Sequence, residues 1–123
     1  MIQIRRTYEP AVRDGSRVIL VDRLWPRGVR KTALRLDAWL KDVAPSTELR
    51  QWFHHDPDKW PEFRRRYRKE LEANPVALTP LLLAAAAGDV TLLYSAHDAA
   101  HNQAVVLKEY LEEMMAEPGA ARR

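Results

Sequence analysis

The stretch Arg17-Val-Ile-Leu-Val-Asp-Arg-Leu-Trp-Pro-Arg-Gly28 decides the fold. From Arg17 to Val21 it is apolar on consecutive positions and rich in β-branched side chains, the pattern of a strand covered on both faces in a parallel sheet. Pro26 and Gly28 then stop regular structure. The loop that follows the strand holds Asp22, Arg23, Trp25, Arg27, Arg30 and Lys31. An acid, an indole and four basic residues directly beyond a buried strand end call for an explanation.

Working outward, Val90-Thr-Leu-Leu-Tyr94 reads as a second buried strand, and Ile2 and Ile4 alternate with polar residues as in a half-exposed strand near a sheet edge. The segments between carry helical spacing. A short helix is expected with Leu36, Trp39, Leu40 and Val43 on one face. Ser46 then caps a helix that turns Leu49, Trp52 and Phe53 inward. Asp56-Pro57 opens a longer helix with Trp60, Phe63, Tyr67 and Leu71 on its buried stripe. Asn74-Pro75 ends that helix, Thr79-Pro80 restarts one, and Gly88 closes it in a left-handed cap. A last amphipathic helix carries Ala104, Leu107, Leu111 and Met114. Strands joined by long helical crossovers run parallel. The expected fold is therefore α/β, a small single domain with a mainly parallel central sheet flanked by helices, over residues 1–116, with 117–123 as a flexible tail.

The chain has 123 residues, 46% hydrophobic and 30% charged, enough for one core and unlike a disordered composition. Its formal net charge of +3 is too small to indicate nucleic acid by itself. With no cysteine, thiolate catalysis and thiolate metal sites are excluded. No signal core or run of ~20 apolar residues is present, so a cytoplasmic protein with no membrane partner is expected.

Ligands in open α/β sheets bind beyond the carboxyl ends of the strands. That rule puts Asp22–Arg27 and Ser95–Asn102 at one crevice and accounts for the basic loop. Arg23 and Arg27 are suited to hold phosphate or carboxylate through planar guanidinium forks. A helix starting near Asp98 would add backbone N–H groups. His101 with Asp98 forms the candidate proton-transfer pair. Trp25 is expected to pack the loop more than to serve as a stacking platform. His97 and His101, at i and i+4, would share a helix face and make half a metal site, with a third ligand required from His54, His55 or Asp56. The weaker expectation is metal, so no metal ligand and no cofactor are assigned. The arginines at 64, 65, 66 and 68 are broken by Glu62, Glu70 and Glu72, which favours a solvated helix face over a nucleic-acid surface.

The segments VDRLWPRG, LKDVAPSTELRQWFHHDPDKW and LLYSAHDAAHNQAVVLKEYL resemble the YeaO-like proteins, a bacterial family known as domain of unknown function 488. The resemblance covers nearly the whole chain. It implies a small cytosolic α/β domain without a settled activity. It also marks Asp22, Arg23, Trp25, Pro26, Arg27 and Gly28, then His55, Asp56 and Pro57, and finally Tyr94, Asp98, His101 and Asn102. Arg23, Trp25, Arg27, His55, Tyr94 and Asn102 are thus the expected ligand-binding set. The chain departs at His97, where relatives carry lysine, which weakens the paired-histidine metal site. The leading expectation is binding of a small anionic ligand, phosphorylated or nucleotide-like, with hydrolysis or group transfer as an added activity. A nucleic-acid accessory and a metal-dependent enzyme are the alternatives.

Overall fold

The computed structural model describes residues 1–9 and 14–116, so the expected tail lies outside the described residues. Four strands, β1 (Ile2–Arg6), β2 (Arg17–Leu20), β3 (Ala38–Trp39) and β4 (Val90–Tyr94), form one sheet in the order β1-β4-β2-β3. Every pairing is parallel. The β1 strand lies at an edge, as its alternation implies. β4 is buried at all five positions because it has a neighbour on each side and helices over it.

Four α-helices follow from capping residues and apolar stripes. Ser46 accepts the Leu49 N–H at 3.1 Å and opens α1 (Thr47–Phe53). Glu70 receives both the N–H and the hydroxyl of Ser46, at 2.8 and 2.6 Å, and so ties that cap to α2 (Trp60–Glu72). Asp56 accepts the Asp58 N–H, and Pro57 begins a single 3-10 turn, Pro57–Lys59, that leads into α2. In α2, Phe63, Tyr67 and Leu71 are buried, as their helical spacing requires. The Tyr67 hydroxyl donates to the Val43 carbonyl at 2.5 Å, which satisfies a polar group with no exposed surface. α4 (Gln103–Ala116) packs on β1 and β4, and α2 packs on α4 and α1.

Four local expectations are corrected. Ala38–Trp39 is a strand, followed by a 3-10 turn at Lys41–Val43, and not part of a helix. Asp37 N–H and Leu40 N–H donate to the Val18 and Leu20 carbonyls, so sheet pairing overrides the helical spacing of Leu36, Trp39, Leu40 and Val43. Pro75 starts a helix instead of only ending one. α3 runs unbroken from Pro75 to Ala87 with Pro80 inside it. The N–H missing at Pro80 would have served the carbonyl of Val76, a residue that is 80% exposed, where solvent can take its place. Gly88 has φ 168°, an extended conformation that leads directly into β4, and not a left-handed cap. The last helix begins at Gln103, five residues after Asp98, because Asn102 supplies its cap.

Leu92 has no exposed surface, whereas Leu83 is 67% exposed on α3. Leu92→Ala is expected to lower unfolding free energy by about 3 kcal/mol in urea titration, and Leu83→Ala by less than about 0.5 kcal/mol.

Candidate functional site

The parallel strands end together at one edge of the sheet, and the two loops leaving β2 and β4 meet there. Between them and α1 lies a cavity of about 650 Å³. Arg23 and His101 both line it, so segments 78 residues apart in the chain share one site. Phe53 and Phe63 form an apolar wall, with their rings stacked at 4.2 Å. Trp60 continues the aromatic series and meets the His101 ring edge-on at 5.1 Å.

Asp22 forms the floor of the cavity, as the most buried ionisable residue in its lining. It is 6% exposed and accepts the Ser95 N–H at 3.0 Å, the Ser95 hydroxyl at 2.5 Å and the Gln103 side-chain amide. Burial pushes its carboxyl above the usual range, and the donors from Ser95 and Gln103 oppose that rise. Its backbone carbonyl holds the indole N–H of Trp39 at 2.7 Å.

Arg23 is committed to the chain as well as to the cavity. Its Nε and Nη2 donate to the Pro45 and Ala44 carbonyls at 3.1 and 3.2 Å, fixing the approach to α1. Arg27 is exposed at the rim. Gly28, at φ 77°, supplies the left-handed turn just beyond it. Trp25 packs edge-on against Trp39 at 5.3 Å and donates its N–H to the Val29 carbonyl at 2.6 Å. Packing is therefore its evident role, although the residue also lines the cavity.

His97 and His101 do not share a helix face, because residues 97–102 form the loop before α4. Asp98 organises that loop by accepting the N–H groups of Ala100 and His101 at 2.9 and 3.0 Å and by contacting His101 Nδ1 at 2.8 Å. The Ala100 N–H, followed by the His101 ring, holds the Asp98 carboxyl below the ordinary range. With Nδ1 engaged by Asp98, Nε2 is the His101 nitrogen without a hydrogen bond among the described residues, the geometry of an oriented proton-transfer group. Among the described residues no group of three His, Asp or Glu side chains could hold a metal ion.

The remaining expected site residues divide. His55 lines the cavity, while Asn102 lines it but is also 2% exposed and donates to the Asp98 carbonyl as it caps Val105. Tyr94 is buried at 2% exposure and does not line the cavity. His54 and His55 both adopt positive φ, 45° and 56°, in succession. Such conformations are costly for residues with a Cβ, and here they end α1 and set His55 beside the cavity. Arg50, Phe53, Phe63 and Gln103 are lining residues that sequence reasoning did not single out. Phe53 and Phe63 read simply as core, and only the position of Gln103 at the start of α4 offered a signal.

The arginine-rich face of α2 is largely neutralised. Arg65 and Arg66 pair with Glu62, Arg64 with Glu109 and Arg68 with Glu113. Arg66 also lies over the Trp52 ring at 4.4 Å.

Residues 1–123 match the family described as the inactive DUF488-N3 subclade. The chain is 43% identical to the uncharacterised protein YeaO of Escherichia coli (strain K12), over 92% of this chain and 98% of that one. It is 40% identical to uncharacterised proteins of Mycobacterium tuberculosis (strain ATCC 25618 / H37Rv) and Mycobacterium bovis, over 89% of this chain and 92% of each relative. No solved structure matches the chain.

Two substitutions separate scaffold from site. Asn102→Ala is expected to cost about 1–2 kcal/mol in denaturant unfolding through loss of the α4 cap. His54→Gly, at an exposed position outside the cavity, is expected to raise stability by about 0.5–1 kcal/mol by relieving the left-handed backbone.

Proposed function

We propose, because the chain belongs to the YeaO-like DUF488 family in the subclade described as inactive, that it captures a small anionic ligand, phosphorylated or nucleotide-like. The observation that carries this reading is the composition of the cavity at the strand ends: aromatic walls inside and Arg27, Arg50, His55, His97 and His101 around it. Arg27 and Arg50 are exposed and make no ion pair among the described residues, so their guanidinium groups are available to an anion. Arg23 supports the loop from which Arg27 extends. An apolar pocket bordered by a few convergent polar groups is the usual form of a small-molecule site.

The word inactive in the subclade's description favours capture over turnover. The oriented His101–Asp98 pair favours a second reading, hydrolysis or group transfer on the same ligand, with His101 moving the proton. The paired arginines of α2 weigh against a nucleic-acid surface.

Thermal unfolding with inorganic phosphate, nucleoside monophosphates and sugar phosphates tests the proposal. At least one compound is expected to stabilise the wild-type protein, by about 2.7 kcal/mol at one hundred times its Kd. An Arg27→Ala, Arg50→Ala variant should unfold normally without ligand and lose that stabilisation. Absence of any shift, or an equal shift in the variant, rejects the reading. Turnover of the bound compound that disappears in His101→Ala would establish the catalytic form.

A further inference from the structure

A buried acid lines the cavity along with the exposed Arg27 and Arg50. Asp22 is almost fully buried, yet its hydrogen bonds come from uncharged donors on Ser95 and Gln103. It makes no ion pair among the described residues. The adjacent cation, Arg23, is turned to the Ala44 and Pro45 carbonyls instead. A buried carboxylate without a counter-charge is costly, and the opening beside it is the cavity itself. Three hydrogen bonds also leave it room, because a carboxylate offers about four acceptor sites.

We infer that Asp22 receives a positively charged nitrogen of the ligand, so that the cavity selects bipolar molecules with a protonated amine or amidine inward and a phosphate or carboxylate outward. This rests on the anion reading above and adds the group at the opposite end of the ligand. Phe53, Phe63 and Trp25 line the same cavity, which suits an apolar or aromatic spacer between the two charges. Burial raises the Asp22 carboxyl, and a cation beside it would oppose that rise. The neutral donors give the carboxylate a fixed orientation, and Ser95 and Gln103 act as positioning residues for it.

The test compares two probes of nearly equal shape by isothermal titration calorimetry. One is 4-(aminomethyl)phenyl phosphate, and the other is 4-ethylphenyl phosphate, in which a methyl replaces the ammonium. Wild-type protein is expected to bind the amine at least about tenfold more tightly, a difference of ~1.4 kcal/mol. Asp22→Asn should bring the two affinities together while both probes continue to bind through their phosphate. Equal affinities in the wild-type protein would overturn the inference and leave the anion reading intact. Binding of neither probe, with inorganic phosphate also silent, would remove both. Because the wild-type comparison is decisive by itself, a poorly folding Asp22→Asn protein does not protect the proposal.

Discussion

Main-chain hydrogen bonding on both sides of β4 is the constraint from which the rest of the molecule follows. Val90 is in register with Ile2 on one side and with Arg17 on the other, and Leu93 with Arg5 and Leu20. Because all these pairings are parallel, the three strands finish at the same edge and release their loops into the same space. The Val21 and Thr7 N–H groups extend the pairing by one residue, donating to the Leu93 and Tyr94 carbonyls. Asp22 and Ser95 then meet at the first positions beyond the sheet, where a carboxylate can accept from a main-chain N–H and a hydroxyl together.

The two aspartates near this edge illustrate how position sets chemistry. Asp22 lies under the loops, and loss of solvent dominates its ionisation. Asp98 lies at the surface, where two main-chain N–H groups and an imidazole stabilise its charge. One residue type therefore closes the floor of the cavity and also organises its rim. The exposed Arg27 and Arg50 and the buried Asp22 line one cavity together with the aromatic rings of Trp25, Phe53 and Phe63. The consecutive left-handed residues His54 and His55 belong to the same design: local backbone strain ends α1 early and holds an imidazole at the opening.

Sequence patterns were most informative where local and long-range preferences agreed. The buried strands at Arg17–Leu20 and Val90–Tyr94, the edge strand at Ile2–Arg6, the Ser46 cap and the Asp56-Pro57 start of the α2 segment were all legible from periodicity and capping chemistry. Patterns misled where a neighbour decided the outcome. The spacing around Trp39 is helical, but the open edge of β2 recruited Ala38 and Trp39 into the sheet. Pro80 reads as a helix start, but its missing N–H is tolerated on an exposed face. The paired histidines suggested a helical face, but Asp98 and Asn102 drew that segment into a loop and moved the helix start to Gln103.

By itself the sequence determined the α/β class, the parallel direction of its main strands and the strand-end rim on which Arg23, Arg27, His55 and His101 gather. These depend on apolar periodicity, helical crossovers and strand ends, all of which are written along the chain. Tertiary structure decided which of those side chains remain available. Arg23 is spent on two carbonyls, Asn102 on a helix cap and Tyr94 on the interior, whereas Asp22, Phe53, Phe63 and Gln103 come to form the cavity. The physical reason is that a hydrogen-bonding group is committed by whatever partner the fold brings within about 3 Å, and most such partners here are distant in sequence.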